Sequence, residues 1–160
     1  MNDALPESLI WTSSLLLIAL TIAIHSAGVV MIALIGVRIR VWAQDRHLST
    51  GRGIPIVIGV VAVTGVLLAI LHGIEAMIWA AAYLWLGAVN SPFDALLYSF
   101  GSITTYGGSG LTPDRPWLMM AALEAADGVL LFGISTAYMF AVLQAYWPLL
   151  SAPSQTDTCP

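Results

Sequence analysis

Three long runs dominated by apolar residues, at 9–37, 54–89 and 117–147, are separated by shorter polar or glycine-rich stretches. A hydrocarbon core about 30 Å thick takes roughly twenty apolar residues to cross as a helix, so each run is long enough to span. A fourth, shorter run lies between the second and third. It opens at Ser91-Pro92-x-Asp94, which reads as a helix start: Ser caps, Pro suits the first turn and Asp favours the positive helix end. It is apolar to residue 103 and then turns polar and glycine-rich at Thr104-Thr105-Tyr106-Gly107-Gly108-Ser109-Gly110. A helix of that length cannot cross. A short helix running into irregular backbone, between spans, predicts a re-entrant loop whose free carbonyls face protein or water and offer an ion pathway.

Composition places this pattern in a bilayer. Hydrophobic residues make up 59% of the 160 and charged residues only 9%, against roughly 25% charged in soluble domains. The basic residues are five arginines, and Arg38, Arg40, Arg46 and Arg52 share one stretch, 38–53, the basic loop between the first two spans. The positive-inside rule puts that loop in the cytoplasm and the N-terminus outside, which makes the C-terminus cytoplasmic in a three-span chain. Residues 1–8, with Asp3 and Glu7 and no basic residue, read as an N-terminal tail rather than a signal peptide. Residues 148–160 read as a polar, disordered tail. The single Cys159 allows no intrachain disulfide, and nothing in the composition points to nucleic acid.

Polar residues inside the spans carry the remaining information. In the first span Ser14, Thr21, His25, Gly28 and Gly36 recur near helical spacing, a stripe expected to face protein. His25 lies near mid-depth and reads as an interhelical hydrogen-bond partner or a ligand. In the second, His72 and Glu75 share a face. As a metal site two ligands are too few, and a polar brace is the expectation. Pro55 suits the first turn of that helix, and Trp79, Tyr83 and Trp85 suit an outer-interface belt. In the third, 100° steps put Glu124, Asp127, Gly128, Leu131 and Ser135 on one side. Ala126, Leu130, Gly133, Ala137, Ala141 and Gln144 fall on the other. The acidic side is expected to meet protein. The small-residue side suits tight packing or a water-filled cavity.

The order span, pore helix, Thr-Thr-x-Gly, span resembles the pore module of the potassium-channel superfamily, and more closely small bacterial two-transmembrane-pore channels carrying an extra N-terminal helix. The resemblance rests on Tyr98-Ser99, Thr104-Thr105-Tyr106-Gly107, Ala122-Leu123-Glu124-Ala125, and the run from Gly128 to Ala137. Leu71-His72-Gly73-Ile74-Glu75 and Trp79 match more weakly. It implies an all-α membrane protein: residues 9–53 as first span and basic loop, then a pore module over 54–147. Within that module it implies an outer helix, a pore helix at 91–103, a filter at 104–110 and an inner helix at 117–147. It further implies a glycine hinge at Gly128 or Gly133 and a cavity lined by Leu130, Gly133, Ala137, Ala141 and Gln144. Glu75, Glu124 and Asp127 are expected to brace the filter through hydrogen bonds to pore-helix or filter groups.

One departure alters the expected activity. The resembled filter reads Thr-x-Gly-Tyr-Gly-Asp, whereas this chain has Gly108, Ser109 and Gly110 in the last three places. Ser109 resists the left-handed backbone that glycine adopts freely, and no tyrosine side chain is left to hold the outer filter. The expected function is passive conduction of monovalent cations, K+ or Na+, by a homotetramer in the plasma membrane, with weak potassium preference. No chemistry, cofactor or metal is expected. A non-conducting membrane interaction protein that keeps the pore fold is the alternative. A metal protein using His25, His72, Glu75, Glu124 and Asp127 is a third reading.

Overall fold

A computed structural model describes residues 7–45, 50–107, 110 and 115–151. The described residues form four helices: α1 (Glu7–Asp45), α2 (Thr50–Trp85), α3 (Pro92–Ile103) and α4 (Arg115–Ser151). Three segments, Glu7–Val41, Ile54–Trp85 and Trp117–Trp147, are long and apolar enough to cross a bilayer. The fold is all-α. Gly108 and Ser109, expected in the outer filter, the Arg46 part of the expected basic loop, and the tails at 1–6 and 152–160 lie outside the described residues.

The helices overrun the boundaries expected from hydropathy. α1 continues through Arg38 and Arg40 to Asp45 because no glycine or proline interrupts it there, and water satisfies the charged side chains as readily on a helix as on a loop. The expected basic loop is therefore mostly helix. α2 starts at Thr50, so Pro55 sits inside it rather than in its first turn and removes one intrahelical bond near the end. α2 stops at Trp85, not at 89. Gly87 takes φ +75°, and its amide and that of Ala88 bond back to the carbonyls of Leu84 and Tyr83, at 3.1 and 2.9 Å. That left-handed glycine end closes the helix. α4 in turn runs past 147 to Ser151, into the stretch expected to be disordered.

Two apolar clusters fix the topology. At one end Ile10 of α1, Trp79, Ala80 and Tyr83 of α2, Ala95 and Tyr98 of α3 and Met120 of α4 pack together. At the other, Val57 of α2 meets Val142 and Tyr146 of α4, and the Tyr146 hydroxyl donates to the Gly36 carbonyl of α1 at 3.0 Å. Thus α1 and α4 run in one direction and α2 in the other.

Lipid offers no hydrophobic drive for helices to associate, so small residues that admit close approach decide the contacts. Gly28 of α1 is one: a Cβ there would stand 2.7 Å from Leu71 Cδ2 of α2. The α1 stripe faces protein as its spacing predicts, with Ser14, Thr21 and His25 fully buried.

α3 dips between α2 and α4. Ser91 caps it, its hydroxyl accepting from the Asp94 amide, with Pro92 in the first turn. Its last carbonyl, of Ile103, rests against Gly128 of α4. Gly128 stands eleven residues inside the span that begins at Trp117, about 16 Å along the helix. The short helix therefore ends about a third of the way along the α4 span.

Candidate functional site

Two regions of the molecule carry polar chemistry at depth: the turn that ends α3, and a column of buried side chains shared by α1, α2 and α4.

After Ile103 the chain leaves the helix through Thr104 and Thr105. Thr104 N–H bonds the Phe100 carbonyl at 3.2 Å, and Thr105 N–H bonds that of Ser102 at 2.9 Å. Gly107 N–H reaches back to the Gly101 carbonyl, also at 2.9 Å. Thr105 takes φ +58°, Gly107 +63° and Gly110 +71°. Left-handed backbone is ordinary for the two glycines and strained for a β-branched threonine. Thr104, Thr105, Tyr106, Gly107 and Gly110 are all exposed on the isolated chain. Replacing Thr105 with glycine is expected to raise thermal stability in detergent by about 0.5–1 kcal/mol, the relieved strain less glycine's extra freedom in the unfolded chain. A loss of stability would mean that the threonine side chain holds the turn.

The same exposure marks one side of α4. Leu130, Gly133, Ala137, Ala141 and Gln144 are exposed, while Glu124, Asp127, Gly128, Leu131 and Ser135 are buried. The two candidate hinge glycines differ in setting. A Cβ at Gly128 would collide with the Ile103 carbonyl, whereas one at Gly133 would meet nothing within 4 Å. Gly128 is a seat for the end of α3.

The buried column has three tiers. In the first, Glu124 Oε2 accepts from the Tyr83 hydroxyl at 2.7 Å, and Oε1 lies within hydrogen-bond reach of the Ser99 hydroxyl on α3. Ser99 Oγ is also 2.8 Å from the Ala76 carbonyl of α2. One carboxyl so ties three helices together. In the second, Asp127 Oδ2 accepts from Thr21 of α1 at 2.6 Å and from the Trp79 indole of α2 at 3.2 Å.

The third tier is a closed ring. His25 Nδ1 lies 2.8 Å from Glu75 Oε1, and His72 Nδ1 lies 3.1 Å from Glu75 Oε2. The Nε2 atoms of the two histidines sit 3.2 and 3.1 Å from Ser135 Oγ. Phe132 stacks on the outer face of His72, ring centres 4.1 Å apart.

Of the three acids expected to brace the pore helix, only Glu124 reaches α3; Glu75 and Asp127 turn to α1. Trp79 and Tyr83 are not interface aromatics. Both are fully buried donors to carboxylates, and only Trp85, 87% exposed, fits the belt. Ser135 and Ser99 had signals in the sequence, the first on the acidic face of α4 and the second beside Tyr98. Their partners lie 63 and 25 residues away in the chain, beyond any local pattern.

Comparison with protein-family models, with curated proteins and with solved structures returns no match.

Proposed function

We propose that four copies of the chain surround one axis as a passive cation channel, with the α3 turn as filter and the exposed side of α4 as cavity wall. The observation that carries this reading is the short, capped α3. It ends partway along the spans on a turn whose exposed backbone has left-handed residues at Thr105, Gly107 and Gly110. Alternating handedness lets successive carbonyls point the same way. Rings of carbonyls replace an ion's hydration shell, and one chain can supply only one side of such a ring. The negative end of the α3 dipole at the turn further favours a cation. The small, exposed residues Gly133, Ala137 and Ala141 of α4 would leave a water-filled cavity below the turn. The cytoplasmic side follows from the arginines of α1, Arg38 and Arg40.

The residues 104–110 contain no acidic side chain, so monovalent cations are the proposed substrates over calcium. Reversal potentials of the reconstituted protein under potassium, sodium and calcium gradients test the proposal. The expected result is monovalent flux with weak potassium preference, from a particle of tetramer mass. A folded tetramer that passes no ion would instead be a membrane interaction protein.

Selectivity is expected to respond to the outer filter. Changing Gly108→Tyr, Ser109→Gly and Gly110→Asp together should raise the potassium-to-sodium permeability ratio, because more consecutive sites become ordered. Gel filtration must first show an intact tetramer. A wild type already strongly selective would show that ordered outer sites form without those side chains.

A further inference from the structure

With both imidazoles neutral and Glu75 ionised, the ring formed by His25, His72, Glu75 and Ser135 would be one proton short. Four close contacts need four hydrogens. Two neutral imidazoles and one serine hydroxyl supply three, and an ionised carboxylate supplies none. The shortfall coincides with the geometry. His72 Nδ1 and Glu75 Oε2 face each other at 3.1 Å, yet both are buried without a hydrogen bond among the described residues. Two unpartnered polar atoms thus aim at the same space, and His25 Nδ1 of α1 stands 2.8 Å from the other oxygen of the same carboxyl. One ligand atom from each of His25, His72 and Glu75 lies within 4.8 Å of the others.

We infer that His25, His72 and Glu75 bind a divalent transition-metal ion of the zinc class, which ties α1 to α2 inside the membrane. Two imidazoles and a carboxylate are a ligand set zinc accepts, with bonds of about 2.0–2.2 Å. Tetrahedral geometry at those lengths separates ligand atoms by about 3.3–3.6 Å, so the pairs now at 2.8 and 3.1 Å part by about half an ångström. With metal on each Nδ1, each Nε2 carries its hydrogen. Both then donate to Ser135 Oγ, whose two lone pairs suffice, and the proton shortage disappears. An outer hydrogen bond of this kind orients metal-bound imidazoles generally.

Charge balances as well. A divalent ion beside Glu75 leaves one positive charge. Asp127 is held by Thr21 and Trp79, each four residues from His25 and Glu75 respectively, and its Oδ1 is buried without a hydrogen bond among the described residues. Ionised, it would supply the compensating charge about one helical turn away. An apolar groove between α2 and α4, of about 470 Å³, has His72 and Ser135 in its lining.

The test uses the full chain, purified in detergent through a tag without histidines, with His47→Gln and Cys159→Ser as background changes. Metal analysis after loading with zinc and desalting is expected to give one zinc per chain, falling below about 0.1 in His72→Ala and His25→Ala. Zinc should raise the melting temperature of chelator-treated wild type. Cobalt in its place should give the intense visible bands of a tetrahedral ion. Ser135→Ala is expected to weaken zinc affinity 10–100-fold, the usual cost of losing such a support. If the histidine variants do not fold, the wild-type stoichiometry, the cobalt spectrum and the Ser135→Ala affinity still decide. Folded wild type that takes up no zinc, or takes it up equally in folded histidine variants, overturns the inference and leaves a protonated polar brace. None of these readings depends on ion flux, so a silent channel with one zinc per chain would refute conduction alone.

Discussion

Glu124→Ala is expected to lower the apparent stability of the folded protein by about 2–5 kcal/mol and to abolish or strongly alter ion flux. The change strips the acceptor from the buried Tyr83 hydroxyl, while the Ser99 hydroxyl keeps the Ala76 carbonyl. A donor left without a partner costs about 1–3 kcal/mol, and no bilayer water reaches this depth to replace the carboxyl. The lost side chain adds a cavity where α2, α3 and α4 meet. Glu124→Gln keeps the shape and one acceptor, so it should lose less than half as much. Thermal unfolding followed by tryptophan fluorescence, with flux measured on the same preparations, separates the variants. An alanine variant within about 0.5 kcal/mol of wild type would remove Glu124 as the tie between α3 and the spans.

Gly128→Ala should prove the more damaging of two glycine substitutions on the same helix. The new methyl is directed at a backbone carbonyl, that of Ile103, which cannot rotate away as a side-chain tip can. Overpacking of that kind costs about 1–3 kcal/mol, and the relief available is displacement of the end of α3, where the turn through Thr104 and Thr105 begins. Flux should therefore fall or lose selectivity even in protein that remains folded. Gly133→Ala meets open space and replaces glycine by the best helix former, a gain of about 1 kcal/mol. Its stability should be unchanged or higher. If Gly133 is the hinge of the inner helix, its alanine variant would change gating without changing stability. The reverse ranking of the two in an unfolding experiment would refute the seat assigned to Gly128.

Much of this arrangement was legible in the chain because the relevant signals are local. The capped start at Ser91-Pro92-x-Asp94 places α3, and 100° steps along α4 separate the acids from the small residues. The α1 stripe finds its buried face by spacing alone. The aromatics near the end of α2 were not legible, because Trp and Tyr serve equally as interface anchors and as buried donors. Which role applies depends on whether a carboxylate stands opposite, and Asp127 and Glu124 are 48 and 41 residues away. The ring failed for the same reason. His72 and Glu75 advertise themselves at three-residue spacing, but His25 joins them only because α1 and α2 stack with Gly28 against Leu71, a register no single segment encodes. Helix ends were misjudged where hydropathy stopped but helix propensity did not.

The burial of the polar column against α1 bears on how little of this protein could be kept. Thr21 and His25 are the α1 partners of Asp127 and Glu75, two of the five carboxyl groups between residues 50 and 128. Without that helix, both acids and His72 would be presented sideways to hydrocarbon. There a central charge costs about 2.5–3.5 kcal/mol by insertion scales, and far more by others. The first helix works as insulation, a dielectric jacket on the side away from the exposed face of α4. Two spans and the short helix α3 are thus not a detachable unit here; shortening the chain to that minimum would require the column to be rewritten in apolar residues at the same time.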